Sequence, residues 1–507
     1  MNPLLTDLYE LTMACAYWRS GTAEKEAVFH HFFRQAPFGG GFTIACGLAS
    51  TIEYLRGFHF EASDLSYLAS IPGNDQRPLF DPAFLEYLGQ IRLQSDVDAV
   101  PEGTVVFPQE PLLRVQGPIL QAQILESALL NFLNFQSLIA TKAARICLAA
   151  QGQPVVEFGL RRAQGMDGAL TASYSAYVGG CSATSNVLAG KRYGIPVAGT
   201  LAHSWVMAFD SELEAFAEYS KALPNNCIFL VDTYDSRVGI QHAIEIGRQL
   251  RAQGHRLGGI RLDSGDLAFL SIEARKALVE AGFADAVIVG SNELDERIIE
   301  SLKLQGATIN VWGVGTRLVT AYDQPALGGV YKLSALRAPG GAWQNKIKLS
   351  EQAAKITSPG IQQVRRFRSV ADRGSRAGVS PADSPRPAAE FIGDAIYDLN
   401  SPLPKAFTIV DPLDPTRRKH FDPETPAMDL LVPIFRAGQL VYEPPALPQV
   451  RAYARQQLAM LHPGIKRRVN PHQYPAGLEL GLHELRMGLI LERRDEVSNP
   501  NRPITSE

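Results

Sequence analysis

One pattern recurs between about residues 154 and 316 and constrains the fold more than any other feature of the chain. A short apolar run is followed by a loop of small or charged residues and then by a stretch with helical periodicity. The later runs recur at roughly 25–30 residues, the length of a βα unit. The apolar runs are 155–158, 195–198, 227–231, 259–262, 286–289 and 309–312. Strands that alternate with amphipathic helices predict a parallel sheet covered by helices, either a barrel or an open doubly wound sheet.

The chain on either side of this pattern predicts further regions. The first 140 residues mix short strand-like runs with helical stretches, which is typical of an α+β domain. Residues 357–390 are rich in Arg, Ser, Pro, Gly and Ala, a composition that predicts a mobile insertion or a linker, particularly over about 371–388. The region from about residue 444 contains helical stretches and predicts a small packing region.

Composition excludes several classes of protein. Lys and Arg number 49 and Asp and Glu number 52, so the formal net charge is −3 and a global electrostatic grip on nucleic acid is not expected. The five cysteines form no Cys-x-x-Cys pair, which argues against a disulfide framework or a structural zinc site and suits a reducing compartment. The N-terminus does not resemble a signal peptide, and the most apolar stretch, 119–140, is interrupted by polar residues. We therefore predict a cytoplasmic protein that neither spans a membrane nor binds nucleic acid.

Polar or glycine-rich residues lie near the end of each of the six apolar runs or just after it. The carboxyl ends of parallel strands meet at one edge of a sheet, where loops and helix N-termini converge, so these residues predict a ligand site. They are Glu157, Gly159, Arg161 and Arg162; Gly199, Thr200, His203 and Ser204; Asp232 and Asp235; Arg261, Asp263, Ser264, Gly265 and Asp266; Gly290, Ser291 and Asn292; and Gly313, Gly315, Thr316 and Arg317.

The residue types at these positions favour a phosphorylated ligand. The segments 290–292 and 313–316 can direct backbone N–H groups and a hydroxyl at an anion. Arg261 supplies a bidentate charge for a phosphate or a carboxylate. Three carboxylates could accept from ribose hydroxyls or, through water, hold Mg²⁺; these are Asp232, Asp263 and Asp266. Taken singly, each motif is better explained by a tight turn or a helix cap, and the site prediction depends on their combination at successive strand ends.

Other features have competing structural and functional interpretations. A lone histidine usually has a structural role, but His203 lies just past a predicted strand end, where an imidazole can act as acid, base or nucleophile. His30 and His31 lie in an aromatic strand, and we interpret them as packing residues. The run 179–186 is either a phosphate cradle or a turn of small residues. The run 365–368, Arg-Arg-Phe-Arg, predicts a solvated strand edge rather than a nucleic-acid patch.

The motifs, in their order along the chain, resemble those of the nicotinate phosphoribosyltransferase family. The resemblance covers nearly the whole chain and weakens only over about 371–388. The matching segments are Thr6–Met13, Glu157–Gly165, Gly199–Ser204, Arg261–Leu267, Gly313–Thr316, Gly328–Leu333 and Arg467–His472 with Tyr474 and Pro475.

This resemblance implies a type II phosphoribosyltransferase fold of the α/β class. That fold combines an incomplete α/β barrel with an α/β sandwich domain and, here, a small C-terminal region. The implied domains are an N-terminal α+β sandwich domain over 1–140, a catalytic α/β barrel over 141–335, a return segment to the sandwich domain over 336–443 with the insertion 371–388, and a C-terminal helical region over 444–507.

The resemblance also implies an activity. Nicotinate would react with 5-phosphoribosyl 1-diphosphate to give nicotinate mononucleotide and diphosphate, the first step of NAD salvage from nicotinate. ATP would be a co-substrate, hydrolysed to ADP and phosphate through a phosphohistidine at His203, and Mg²⁺ would be required. The family pattern further implies a homodimer with its active site at the subunit interface.

Residue roles follow from the same resemblance together with the strand-end pattern. We assign His203 and Asp263 as catalytic, and we expect Asp263 or Asp266 to contact a metal only indirectly. The residues assigned to nicotinate are Tyr9, Thr200, Arg261 and Arg161. Those assigned to phosphoribosyl diphosphate are Thr316, Gly313, Gly315, Gly290, Ser291, Asp232 and Ser264.

Three alternatives compete with this interpretation. A sister enzyme of the same fold would act on nicotinamide or quinolinate. A binding or regulatory protein on a degenerate barrel would be expected to lose some of the strand-end polar residues. A phosphosugar aldolase or isomerase on a full barrel would need a Schiff-base lysine or a glutamate base at a strand end, and Lys191 and Lys221 lie outside those positions.

Overall fold

A computed structural model describes residues 2–369 and 389–498, and the predicted insertion 371–388 lies outside these residues. The described α-helices are α1 (Leu8–Arg19), α2 (Leu48–Arg56), α3 (Ala62–Ser70), α4 (Pro82–Gln90), α5 (Ile119–Ile124), α6 (Glu126–Ala149), α7 (Met166–Val178), α8 (Val187–Tyr193), α9 (His203–Met207), α10 (Glu212–Ala222), α11 (Ser236–Ala252), α12 (Leu267–Glu280), α13 (Glu296–Leu304), α14 (Thr316–Val319), α15 (Leu447–Ala459) and α16 (Leu480–Ser498).

The described strands, in the same chain order, are β1 (Glu26–Phe33), β2 (Thr43–Ile44), β3 (Asp96–Ala99), β4 (Val105–Val106), β5 (Leu113–Pro118), β6 (Val155–Glu157), β7 (Ala183–Thr184), β8 (Ile228–Leu230), β9 (Gly259–Leu262), β10 (Val287–Gly290), β11 (Val311–Val314), β12 (Gly329–Arg337), β13 (Gln344–Asn345), β14 (Gln362–Arg368), β15 (Phe391–Asp398), β16 (Phe407–Val410), β17 (Arg418–Phe421), β18 (Ala427–Asp429), β19 (Val432–Arg436), β20 (Gln439–Leu440) and β21 (Ala476–Glu479). These elements form two compact units. One, the barrel unit, comprises residues 138–325 and 447–452, and the other, the first unit, comprises the remaining described residues.

The barrel unit contains a parallel sheet with the strand order β7-β6-β11-β10-β9-β8. All its neighbouring pairs are parallel, for example Val287 with Gly259. Within the described residues the sheet has six strands and ends at β7 and β8, so the prediction of an incomplete α/β barrel is confirmed.

One predicted strand of this sheet is wrong. The run 195–198 contributes a single bridge, between Val197 and Thr184, whereas β7 lies inside the glycine- and serine-rich run 179–186. Pro196 has no N–H to donate to a ladder and only accepts, from the backbone N–H of Thr184 at 3.0 Å. The small residues of β7 therefore form the strand next to β6, and the run 195–198 adds only one bridge on the other side of β7.

The helices of the barrel unit begin directly after the strand ends. Asp235, Asp266 and Asp295 cap α11, α12 and α13, and their carboxylates accept hydrogen bonds from backbone N–H groups of the first turn. The apolar face predicted for α11 is buried, including Ile240 and Leu250. The strands that precede these three helices therefore lead through short loops into capped helices that cover the sheet.

The first unit contains an antiparallel sheet with the order β13-β12-β1-β5-β3-β19-β20. Apolar residues of β1, β3 and β5 form one core with those of α1, α2, α4 and α5. His30 and His31 lie in β1, and both are buried, which agrees with their interpretation as packing residues. His31 Nε2 lies 2.9 Å from Asn134 Oδ1.

A second, mixed sheet of the first unit has the order β17-β16-β21-β15-β14-β18. The prediction that 365–368 forms a solvated strand edge is wrong, because β14 lies between two other strands. Arg366 is 1% exposed and pairs with Asp394 at 2.5 Å, while Arg365 pairs with Asp429 at 2.9 Å. Neighbouring strands thus supply the carboxylates that allow an arginine-rich strand to be buried.

Two predictions from the sequence, on the apolar stretch 119–140 and on the cysteines, can be compared with the structure. The apolar stretch 119–140 forms α5 and much of α6, where its residues are mostly buried. Among the described residues, no helix has both the length and the apolar character needed to cross a bilayer. All five cysteines are free thiols, and Cys15, Cys46, Cys181 and Cys227 are buried.

Candidate functional site

Arg261, near the end of β9, organises the polar residues of the neighbouring strand ends. Its Nε donates to Ser291 Oγ at 2.8 Å, its Nη1 to Thr200 Oγ1 at 3.0 Å and its Nη2 to Asp263 Oδ1 at 2.8 Å. The side chain is 16% exposed. Three partners from three different segments fix the planar guanidinium in one orientation, which suits it for recognising a carboxylate or a phosphate.

Two carboxylates continue this network. Asp263 Oδ1 also accepts from Ser291 Oγ at 2.5 Å. The neighbouring carboxylate, Asp232, accepts through Oδ2 from the backbone N–H of Asp263 at 3.0 Å and from Ser264 Oγ at 2.6 Å. Its other oxygen, Oδ1, is buried and has no hydrogen-bond partner among the described residues. An unpaired buried carboxylate oxygen is costly, and it provides a free acceptor for a hydroxyl or a cation.

His203 is the first residue of α9 and stands beside this network. Its Nδ1 lies 3.2 Å from Thr233 Oγ1, and its Nε2 lies 3.9 Å from Asp263 Oδ2. The side chain is 42% exposed, so a reactant can reach the ring. The contact with Thr233 was not anticipated from the sequence, although Thr233 directly follows Asp232 at the end of a predicted strand. An accessible imidazole beside a carboxylate can serve as acid, base or nucleophile.

Phe158 is a site residue that the sequence reasoning missed. Its ring centroid lies 5.6 Å from Arg261 Cζ. A Cβ at position 313 would lie 2.6 Å from the Phe158 ring. Glycine is therefore the only residue type that fits at position 313 unless the ring moves. An aromatic face beside a cationic group provides a stacking surface for a planar ring. The signal was present, because Phe158 lies inside the motif that begins at Glu157.

Glu157 is an anchor of the site rather than a free acid. Its Oε2 accepts from Ser173 Oγ at 2.8 Å and from Thr184 Oγ1 at 2.6 Å, and its Oε1 accepts from the backbone N–H of Gly159. The carboxylate is buried, and both of its oxygens accept hydrogen bonds. It fixes the turn that leads to Arg161, which is exposed in the 3₁₀ turn Leu160–Arg162.

The segment after β10 has strained backbone. Asn292 and Glu293 have φ values of +92° and +39°, the left-handed region that residues other than glycine seldom adopt. Such strain is concentrated at functional sites. The segment continues from Gly290 and Ser291, and Glu293 Oε1 accepts from Thr316 Oγ1 at 3.4 Å. The ends of β10 and β11 are therefore joined through Thr316.

Asp266 and Tyr9 lie outside the Arg261 network. Asp266 Oδ1 accepts from the backbone N–H of Phe269 at 3.0 Å, which is the helix-cap geometry. Tyr9 belongs to the first unit, on α1, and is 46% exposed. Partial burial and the nearby carboxylate of Glu126 raise the pKa of Tyr9, so its phenol is neutral at pH 7. The described residues contain no cluster of three His, Cys, Asp or Glu side chains arranged to hold a metal ion.

Comparisons with known proteins agree over nearly the whole chain. Residues 4–134 match the nicotinate phosphoribosyltransferase (NAPRTase) N-terminal domain, residues 154–342 match the NAPRTase family profile, and residues 386–486 match the C-terminal domain. The nicotinate phosphoribosyltransferase of Bacillus subtilis is 42% identical over 497 residues, which cover 97% of this chain and 96% of that protein.

The chain is also similar to a human protein and to a human crystal structure. The human nicotinate phosphoribosyltransferase is 36% identical, with 96% of each chain covered. The crystal structure of human nicotinic acid phosphoribosyltransferase superimposes with a TM-score of 0.79 at 34% identity, covering 96% of this chain and 99% of that one. The order of the motifs, the incomplete barrel and these matches lead to one conclusion: the chain belongs to the nicotinate phosphoribosyltransferase family of enzymes.

Proposed function

We propose that the protein transfers the phosphoribosyl group of 5-phosphoribosyl 1-diphosphate to nicotinate, giving nicotinate mononucleotide and diphosphate. The relatives of Bacillus subtilis and human carry this activity in their names. The observation that carries the proposal is the Arg261 guanidinium, held by Thr200, Ser291 and Asp263 at the strand ends.

Nicotinate is recognised through its carboxylate and its ring. Arg261, with Thr200 and Arg161, binds the carboxylate, and a carboxamide in its place would leave the charge unpaired at a cost of about 1–3 kcal/mol. Phe158, 5.6 Å from the guanidinium carbon, stacks on the pyridine ring. Tyr9 keeps the nicotinate contact that the family resemblance assigns to it. This arrangement would make the enzyme selective for the acid over the amide.

The second substrate occupies the ends of β9, β10 and β11. Backbone N–H groups and hydroxyls bind its phosphate groups, and Asp232 and Ser264 bind ribose hydroxyls. The phosphate-binding residues are Gly290, Ser291, Gly313, Gly315 and Thr316. The ring nitrogen forms a bond to ribose C1 as the C1–O bond to diphosphate breaks, and Asp263 stabilises the positive charge that develops on the ribose.

Magnesium fits the carboxylates of this site. Within the part of the chain that the structure describes, the buried Oδ1 of Asp232 has no hydrogen-bond partner, and carboxylate oxygens are ligands that Mg²⁺ prefers. Asp232 and Asp263 would hold the ion, in part through water and substrate oxygens, and the ion would neutralise the leaving diphosphate. Asp266 is a weaker candidate, because it caps α12.

ATP hydrolysis is coupled to the transfer through His203. A ring nitrogen accepts the γ-phosphoryl group as the bond to ADP breaks, and water later cleaves the phosphorus–nitrogen bond to release phosphate. The exposure of the imidazole and its position 3.9 Å from Asp263 support this role. A phosphorylated His203 adds negative charge beside the network and changes its affinity for substrates.

The enzyme acts as a homodimer in the cytoplasm, with each active site at the subunit interface. Support comes from exposed apolar side chains within residues 160–207 of the barrel unit, where Met166 is 85% and Val187 is 69% exposed. Isolated exposed apolar residues are ordinary, but several in one short region favour an interaction surface. The others are Leu160, Leu188, Val197 and Met207. Light scattering at assay concentrations should give twice the chain mass of 55.3 kDa.

The experiment combines the purified protein with 5-phosphoribosyl 1-diphosphate, Mg²⁺ and either nicotinate or nicotinamide, with and without ATP. We expect nicotinate mononucleotide, in a yield that rises with ATP, and matching ADP. Product from nicotinamide alone would identify the sister activity, and no product from either base would refute the proposal.

A variant separates transfer from coupling. His203→Ala should abolish nicotinate-dependent ADP formation and leave slow mononucleotide synthesis at high substrate. His255→Ala, on the same unit but outside the network, is the control and should behave as wild type. ATP coupling retained in His203→Ala would refute the phosphohistidine while leaving the transfer activity in place.

A further inference from the structure

Glu293, on the loop after β10, contacts two donors that follow β11. Its Oε1 accepts from Thr316 Oγ1 at 3.4 Å, and its Oε2 lies 3.6 Å from Arg317 Nε. Thr316 and Arg317 are neighbours in sequence, at the start of α14. One carboxylate therefore faces a hydroxyl and a guanidinium N–H that lie side by side. The proposed function assigns Thr316 to a phosphate group and gives Glu293 no role.

The Arg317 guanidinium is fixed by other contacts. Its Nη1 pairs with Asp295 Oδ2 at 2.7 Å, and Asp295 is the buried cap of α13. Its Cζ lies 4.8 Å from the centroid of the Tyr322 ring, a cation–π distance. Its Nε is buried and forms no hydrogen bond within the described residues, because the contact with Glu293 is too long. A fixed guanidinium thus keeps one N–H donor for an acceptor that can approach more closely than Glu293 does.

Glu293 is held weakly and in a strained conformation. Its side chain is 57% exposed, and both contacts are longer than the separation of about 2.7–2.9 Å that is typical of charge-assisted hydrogen bonds. Its φ is +39°, in the left-handed region, and that of the preceding Asn292 is +92°. The carboxylate can therefore leave its two donors at little cost in free energy.

We propose that the Glu293 carboxylate competes with a phosphate group of the substrate for Thr316 and Arg317. Carboxylate and phosphate oxygens accept from the same donors, and two anions at one pair of donors repel each other. Substrate binding therefore displaces Glu293, and Arg317 Nε becomes a phosphate contact beside Thr316. This inference rests on the proposed function, which places a phosphate group at Thr316.

The competing carboxylate lowers the affinity of these donors for every anion, including the product diphosphate. Because a site that binds its product too tightly releases it slowly, Glu293 favours product release. Without the carboxylate, the KM for 5-phosphoribosyl 1-diphosphate and the inhibition constant of diphosphate should both fall by about tenfold, while kcat should not rise. The effect is electrostatic and lies near the surface, so high salt should reduce it.

The test measures the binding of inorganic diphosphate to the full-length protein by calorimetry at low salt, with Mg²⁺. Glu293→Gln keeps the shape of the exposed side chain and removes only its charge. We expect its Kd for diphosphate to be about tenfold lower than that of the wild type, and the gain to shrink to about twofold in about 0.5 M NaCl. Glu280→Gln is the control and should keep the wild-type Kd. It removes an exposed carboxylate at the C-terminal end of α12, the end of that helix away from the strand ends.

A second variant separates this inference from the proposed function. Thr316→Val removes the hydroxyl and should weaken diphosphate binding. If Thr316→Val binds weakly and Glu293→Gln binds like the wild type, the phosphate site stands and the competition is refuted. Weaker binding by Glu293→Gln would also refute the competition, because the carboxylate would then assist binding. If neither the wild type nor Glu293→Gln binds diphosphate, or if Thr316→Val binds it like the wild type, the phosphate assignment of Thr316 fails and the competition fails with it.

Discussion

Two arginines in two sheets illustrate how similar residues serve different purposes. Arg366 in the first unit is 1% exposed, pairs with Asp394 at 2.5 Å and donates to the carbonyl oxygen of Val105 at 2.7 Å. Arg261 in the barrel unit is 16% exposed and binds side chains from three segments at the strand ends. Full burial with paired partners indicates a structural role. Arg261 is partly exposed, and its network continues through Asp263 to Asp232, whose Oδ1 has no partner among the described residues, which indicates a place for a ligand.

The largest expected effect concerns the buried pair. Arg366→Met should lower the free energy of unfolding by about 3–5 kcal/mol, because Asp394 is left buried without its counter-charge. Urea unfolding measures the loss, and the kcat/KM of the folded fraction should change little. Arg365→Met is a matched control on the same strand. Its pair with Asp429 is partly exposed, so the loss should stay below about 1 kcal/mol.

If Arg366→Met unfolded at the same urea concentration as the wild type, the structural role of Arg366, and with it the contrast between the two arginines, would be contradicted. The double variant Arg366→Met with Asp394→Asn sharpens the same test, since it removes both charges and should recover part of the stability. No recovery would mean that the hydrogen bonds of Arg366 to neighbouring groups, rather than the isolated carboxylate, account for the loss.

A second expected effect is a pH dependence of stability in the first unit. Burial lowers the pKa of His31 to about 4 and that of His30 well below its usual value. The unfolded chain therefore binds more protons than the folded one between about pH 6.5 and 4, and stability falls as the pH falls through that range. For His31 alone, the loss between pH 7 and pH 5 is about 2 kcal/mol.

Urea unfolding at several pH values, with His31→Gln, measures this contribution. The variant should be less stable at pH 7 and should show a shallower decline towards pH 5. His59→Gln, at an exposed position of the same unit, should keep the wild-type slope. An unchanged slope in His31→Gln would show that other groups cause the acid sensitivity.

The smallest effect separates two interpretations of Asp266. As the cap of α12, Asp266→Ala should cost about 1 kcal/mol of unfolding free energy and leave the Mg²⁺ concentration for half-maximal activity unchanged. Asp295→Ala, which removes the cap of α13, should cost at least as much, because Asp295 also pairs with Arg317 at 2.7 Å. A raised Mg²⁺ requirement in Asp266→Ala alone would instead assign Asp266 to the metal.

The sequence was sufficient for features that depend on local patterns. The alternation of apolar runs and helices predicts the parallel sheet, and the polar residues after each run include Thr200, Arg261 and Ser291, which the structure brings together. These residues meet because the strand ends of a parallel sheet share one edge, whatever the strand order.

Features that depend on distant partners were not predictable. Arg366 is buried because Asp394 lies on the paired strand β15, and no local pattern indicates that pairing. The run 195–198 contributes one bridge rather than a strand, and Pro196 within it has no N–H to donate to a ladder. The site role of Phe158 follows from its approach to Gly313, which is far away in the sequence.

The most direct measurement is the ratio of kcat/KM for nicotinate to that for nicotinamide, in wild type and in Arg261→Gln. We expect the wild type to prefer nicotinate by about tenfold or more and the variant to lose that preference, because the neutral side chain no longer pairs with the carboxylate. Arg237→Gln, which removes an exposed arginine of the same unit, should keep the wild-type ratio. An unchanged ratio in a folded Arg261→Gln variant would contradict the assignment of the Arg261 network as the nicotinate site.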